Sequence, residues 1–154
     1  MTIEPANVAP AGLLVIGYGN ELRCDDGVGP KVAAAVAEWN SAGVRALACH
    51  QLTPELAEPI ASANQVIFVD AAADSSGTVQ LRQIEPIDGA EVMTHSADPR
   101  CLLGLAKHAF GHSPVAWSLT IPTENLGFGE ELSPLARQGW QIALDKIRTL
   151  AASP

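Results

Sequence analysis

The stretch from Leu13 to Trp39 constrains the fold more than any other part of the chain. Leu13-Leu14-Val15-Ile16 is apolar at every position, short, and ended by Gly17. A run of that kind reads as a parallel strand buried on both faces, not as a half-exposed strand with alternating polarity. It enters a glycine turn, Gly17-Tyr18-Gly19, then an acidic segment ending in Cys24-Asp25-Asp26. From about Asp26 to Trp39 the pattern is helical. Val28, Val32, Val36 and Trp39 repeat at helical spacing, and Pro30 suits a first turn. A strand that must be covered on both sides, followed directly by a helix, points to an α/β architecture.

The rest of the chain repeats the alternation. Val44 to Cys49 is a second strand, and Thr53-Pro54-Glu55 opens a helix with Thr53 as N-cap and Pro54 at its first position. Gln65-Val66-Ile67-Phe68-Val69-Asp70 is the clearest strand, β-branched and aromatic, ending in a carboxylate. Residues 77–84 alternate imperfectly and read as a half-buried edge strand. Asp98-Pro99 repeats the cap-and-proline signal for a helix to about Ala109. A strand over Val115 to Ile121 follows, then a Pro- and Gly-bearing loop over 122–130. Ala136, Trp140, Ala143, Ile147 and Leu150 form one stripe of a last helix from about Ser133 to Leu150. The expected fold is a three-layer α/β/α sandwich with a mostly parallel sheet of about five strands, of the phosphorylase/hydrolase-like kind. The 154 residues suit a single domain, with 1–11 as a flexible arm and 12–151 as the core.

Charge narrows the partners. Seventeen acidic against nine basic residues give a net charge of −8, which argues against nucleic acid or an anionic membrane as partner and suits a bound cation. Three scattered cysteines, without a CxxC pair, suit a reducing compartment. The first ten residues lack the pattern of a signal peptide, and no apolar run approaches the ~20 residues of a membrane helix. The expected location is the cytoplasm.

The chemistry begins with the acidic turn. Gly17-x-Gly19 invites a dinucleotide-binding reading, but Leu22 stands where the third glycine belongs, and the acids at Glu21, Asp25 and Asp26 would repel a pyrophosphate. Asp25 reads as a helix cap, favoured by the helix dipole. Asp26 and Asp70 then follow the C-terminal ends of two parallel strands, at the edge where open α/β sheets bind ligands. His95 lies just before the helix that opens at Asp98, and its loop can return to the same edge. Two carboxylates and one imidazole suit a first-row divalent metal, and three protein ligands leave positions open for water or a guest. If the three do not meet, Asp26 is a first-turn acid and His95 a loop residue. His108 and His112 are four apart, but Gly111 between them ends the helix and leaves them solvated. Cys24, beside two acids, makes a poor nucleophile. No G-x-S-x-G motif supports a serine hydrolase. Trp39 and Trp140 lie on helical stripes and belong to the core. The apolar-tipped segment Glu124-Asn125-Leu126-Gly127-Phe128-Gly129 reads as a partner-binding loop or as a plain turn.

With these residues in view, the run Gly17 to Gly29 resembles the G-x-G-N-x-L-x-x-D-(D/E)-x-x-G signature of the nickel–iron hydrogenase maturation endopeptidases. Val66-Ile67-Phe68-Val69-Asp70-Ala71 resembles that family's second motif. Thr94-His95, with Leu102-Leu103-Gly104-Leu105-Ala106 behind it, is similar to its histidine segment. Ile121-Pro122-Thr123-Glu124 looks like its last strand and exit. The resemblance covers nearly the whole chain in order. It implies an endopeptidase that removes the C-terminal extension of the hydrogenase large-subunit precursor once nickel is inserted. It also implies Asp26, Asp70 and His95 as metal ligands, with Asp26 and Asp70 as the catalytic pair. The nickel would arrive in the precursor as the recognition signal, with no permanently bound cofactor, and the protein would act as a monomer.

The chain departs from the family in two places. Many members carry Glu where Asp26 stands, one methylene longer. Many also carry Asp-Gly-Gly-Thr-x-Gly where this chain reads His50-Gln51-Leu52-Thr53-Pro54-Glu55. That form resembles the subgroup serving bidirectional NAD(P)-linked hydrogenases. Two other readings stay open: a non-proteolytic, nickel-dependent checkpoint that only docks the precursor, and a hydrolase or phosphorylase of small substrates on a similar sheet.

Overall fold

In the computed structural model, residues 12–72, 77–88 and 97–152 are described. Five strands build one sheet: β1 (Leu13–Tyr18), β2 (Val44–Cys49), β3 (Gln65–Ala72), β4 (Gln80–Ile84) and β5 (Val115–Pro122). Their order is β2-β1-β3-β5-β4. All pairings are parallel except β4 with β5, which is antiparallel at the edge. Among the described residues the helices are α1 (Val28–Ala37), α2 (Ala57–Ala61), α3 (Pro99–Phe110) and α4 (Pro134–Ala152). The sandwich expected from the sequence is therefore present.

The two faces of the sheet are covered by different helices because strand side chains alternate. Leu13 and Val15 of β1, Ile67 and Val69 of β3, and Leu119 and Ile121 of β5 pack with Val28, Val32 and Val36 of α1 and Ala143, Leu144 and Ile147 of α4. Leu14, Ile16, Val66 and Phe68 face the other way, onto Ile60 of α2 and Leu102, Leu103 and Ala106 of α3. Every residue from Leu13 to Ile16 is buried, as a strand covered on both faces must be. Trp39 and Trp140 pack against the first of these clusters.

Several boundaries differ from the sequence expectation. The segment after the glycine turn forms a 3-10 turn, Cys24–Gly27, and the α-helix begins only at Val28. Thr53 makes no side-chain cap; Pro54–Leu56 is a 3-10 turn and α2 has only five residues. The short helix buries only Ala57 and Ile60, and α3 covers the rest of that face with Leu102, Leu103 and Ala106. The edge strand starts at Gln80, and β3 runs two residues beyond Asp70 because Ala71 and Ala72 continue the ladder with Ile121 and Pro122. The cap-and-proline signal at Asp98-Pro99 works as read: the Asp98 carboxylate accepts from the Arg100 amide at 2.9 Å.

Candidate active site

The strand order places the site. From β1 the chain goes to β2 on one side, then returns to β3 on the other side of β1. That reversal opens a crevice beyond the C-terminal ends of β1 and β3, where open α/β sheets hold ligands. Asp26 follows β1, and Asp70 lies near the end of β3.

Two glycines let α1 start on top of this crevice. A Cβ on Gly29 would stand 2.5 Å from the Tyr18 carbonyl oxygen and 2.6 Å from that of Val69. A Cβ on Gly17 would stand 1.9 Å from the Gly29 carbonyl oxygen. No side chain fits either place, so the backbones of β1, β3 and α1 meet directly. Gly19 adds a φ of 147°, and a Cβ there would meet the Asp26 carbonyl oxygen at 2.0 Å. The glycines of the opening motif thus serve backbone approach, not a phosphate.

The turn aims the Asp26 carboxylate. Its Oδ2 accepts the Asn20 amide at 2.8 Å, while the Asn20 side chain accepts the Leu22 amide at 2.9 Å. Asp70 is half-buried. The register Gly17↔Val69, carried one residue further, sets Tyr18 beside Asp70 on the same face of the sheet. Burial pushes the Asp70 carboxyl above the usual carboxylate range, and the charge of Asp26 adds to that rise. The Ala71 amide and the Tyr18 hydroxyl pull the other way without cancelling it. Tyr18 is held far above an ordinary phenol by burial, by the Asp70 charge and its hydrogen bond, and by the charge of Asp98 at the start of α3. Asp26 and Asp70 therefore sense each other electrostatically across the crevice. Among the described residues no group of three His, Cys, Asp or Glu side chains is placed to hold a metal ion. His95, the third residue of the expected set, lies outside the described residues.

Asp25 differs from the cap expected of it. It caps nothing in the turn that contains it. Its side chain is fully buried and accepts four hydrogen bonds from the far end of the chain. These come from the amides of Glu124 at 2.9 Å, Asn125 at 3.0 Å and Ser133 at 2.7 Å, and from the Ser133 hydroxyl at 2.7 Å. Burial alone would raise its pKa; the bonds from Ser133, Glu124 and Asn125 outweigh burial and lower it. The same turn pairs along its backbone with the distant loop. Cys24 donates to the Gly129 carbonyl at 2.7 Å, Gly129 to that of Leu22 at 2.8 Å, and Asp25 to that of Asn125 at 2.9 Å. Cys24 is buried by this arrangement, which keeps its thiol from a substrate.

Sequence reasoning missed two residues here. Tyr18 stood inside the motif but was passed over for the glycines around it; an aromatic at the last position of a buried strand was the available signal. Ser133 carried no signal toward Asp25, 108 residues away. Beside the crevice, Gly19, Glu21, Leu22, Pro30, Cys49 and His50 border a cavity of about 420 Å³.

Solved structures with this arrangement of strands and helices have named activities. The crystal structure of a nickel–iron hydrogenase maturation protease, HycI, from Thermococcus kodakarensis superposes with a TM-score of 0.71 at 23% identity, covering 92% of each chain. The fold is that of the hydrogenase maturation proteases. The hydrogenase maturating endopeptidase HybD from Escherichia coli gives a TM-score of 0.66 at 24% identity over 90% of each chain. A hydrogenase 2 maturation peptidase from a Thaumarchaeota archaeon gives 0.67 at 23%, over 92% of this chain and 99% of that one. No protein-family model and no curated protein matches the chain.

Proposed function

We propose that this protein is a hydrogenase maturation endopeptidase, which removes the C-terminal extension of a nickel-loaded large-subunit precursor. The observation that carries the reading is the pairing of Asp26 and Asp70 at the switch point of a sheet shared with the named maturation proteases. Both carboxylates lie at the C-terminal edge of the sheet, where a partly coordinated first-row cation in a substrate could meet them. Nickel belongs to the precursor in this reading, and His95 would be the third residue to meet it. The nickel ion supplies Lewis acidity next to the bond to be cut. Asp26, fixed by the Asn20 amide, orients the substrate. Asp70, with its pKa raised by burial and held by Tyr18, is suited to take up the proton of the attacking water. A peptide bond then breaks with one water consumed.

The form His50-Gln51-Leu52-Thr53-Pro54-Glu55 resembles that of the proteases serving NAD(P)-linked bidirectional hydrogenases, and His50 is exposed on the cavity beside the motif turn, where it could meet a substrate. Among the described residues no helix is long and apolar enough to cross a membrane, in keeping with a cytoplasmic partner.

The test is incubation of nickel-loaded and nickel-free precursor with a hundredth part of protein, followed by intact-mass measurement. Loss of the extension from nickel-loaded precursor alone is the expected result. Stoichiometric binding without cleavage would replace the protease by a nickel-dependent checkpoint. Equal cleavage of both precursors would remove nickel from the recognition step.

A further inference from the structure

We propose that Phe128, with Leu126 and Leu22, forms the docking tip for the precursor: a lip beside the crevice that holds an apolar residue flanked by Lys or Arg. The inference rests on the function proposed above and adds where, and by what chemistry, the substrate protein is gripped.

Phe128 is 90% exposed, Leu22 52% and Leu126 38%. An exposed phenylalanine on an isolated flexible loop would carry little meaning, because single exposed apolar residues are common. This one is held in place. Gly129, next to it, exchanges backbone hydrogen bonds with Leu22 and Cys24. Asn125, on its other side, accepts from the Gly127 amide through its side chain and donates its own amide to the buried Asp25 carboxylate. A fully buried carboxylate with four partners thus anchors the loop that presents the phenyl ring. Such pre-organisation lowers the ordering cost of binding. Exposed aromatics on rigid supports are the usual anchors of protein interfaces.

The lip joins the candidate site. Leu22 also borders the cavity that runs past Gly19 to Cys49 and His50, and Asp26 follows Leu22 by four residues in the same turn. Leu22 thus links the loop of Phe128, through its backbone bond to Gly129, to the cavity beside the motif turn.

Charge selects the occupant. Glu21, Glu124, Glu130 and Glu131 are exposed on these two segments, and Arg23 is the one base within residues 20–26 and 122–133. An apolar tip rimmed by acids suits a partner whose apolar residue is flanked by basic ones, and disfavours a second copy of this acidic chain.

Binding of nickel-loaded precursor, measured by calorimetry, tests the lip independently of catalysis, with steady-state cleavage alongside. Phe128→Ser is expected to weaken binding roughly tenfold and to raise KM by a similar factor, with kcat within about twofold. Glu130→Lys with Glu131→Lys is expected to weaken binding several-fold and to flatten its dependence on salt. Phe110, 52% exposed at the C-terminal end of α3, serves as control, and Phe110→Ser is expected to bind as the wild type does. Unchanged affinity in Phe128→Ser with an unchanged Tm would overturn the inference. So would a concentration-dependent dimer in sedimentation that Phe128→Ser abolishes, which would give the lip to a second copy. If the wild type binds but does not cleave, the docking tip survives and the protease reading fails. If the wild type does neither, both fall.

Discussion

Asp25 and Asp26 are neighbours in sequence and opposites in physics. Asp25 lies at the centre of a closed knot: no exposure, four hydrogen bonds, and a lowered pKa. Asp26 is half-buried, accepts one hydrogen bond from the Asn20 amide, and its charge helps to raise the pKa of Asp70. A satisfied, low-pKa carboxylate stabilises the fold and has little left to offer a ligand. Two half-satisfied carboxylates that repel each other are costly to keep together, and a cation removes that cost. One carboxylate is spent inside the fold and its neighbour is coupled to Asp70, across a single peptide bond.

Breaking the knot gives the largest expected effect. Asp25→Ala leaves three amides and a hydroxyl without their buried acceptor and is expected to cost about 3–5 kcal/mol, read by denaturant unfolding. Its folded pKa is depressed, so its stabilisation is present above the ordinary carboxylate range and is lost as pH falls through the lowered value. The gap between variant and wild type should therefore narrow in acid. If Asp25→Ala unfolds within about 1 kcal/mol of wild type at pH 7, the knot is not structural.

Asp70→Asn should separate the two regions most cleanly. Precursor cleavage is expected to fall at least about a hundredfold. Stability is expected to rise at pH 7. Because the folded pKa of Asp70 is raised, its contribution is most favourable below the unfolded pKa and is lost as pH rises through the folded one. The Tm advantage of Asp70→Asn should thus shrink on acidification. A variant that is both inactive and less stable at pH 7 would put Asp70 with Asp25 in the architecture.

Gly29→Ala tests the close approach that holds the crevice together. A Cβ at 2.5–2.6 Å from two carbonyl oxygens forces backbone apart and is expected to cost about 1–3 kcal/mol in unfolding experiments. Tyr18→Phe is the smallest change. It removes the hydroxyl that lowers the Asp70 pKa, at a cost of about 1 kcal/mol or less. The acidic limb of the pH–rate profile for cleavage should move to higher pH. A limb that stays in place would mean that Asp70 does not titrate in that step.

The layers of the fold were legible because burial is written into the order of residues. Leu13 to Ile16 could only be a strand covered on both faces, and Val28, Val32 and Val36 could only be a helix face. Strand-end logic likewise brought out Asp26 and Asp70, since parallel strands share one C-terminal edge. Local pattern failed where long-range partners decide. Asp25 read as a cap because its partners Glu124, Asn125 and Ser133 lie about a hundred residues away. Thr53 carried a cap signal, but a 3-10 turn over Pro54–Leu56 separates it from α2, which begins at Ala57.

By itself, then, the sequence determined the alternation of strand and helix, the acids at the strand ends, and the glycines that shape the turn. These follow from periodicity and side-chain chemistry, which act over a few residues. Only the tertiary structure decided that Asp25 belongs to the knot, that Tyr18 steadies Asp70, and that the loop carrying Phe128 is tied to the motif turn. Those roles depend on segments far apart in the chain, and burial and hydrogen bonding assign them only once those segments are packed together.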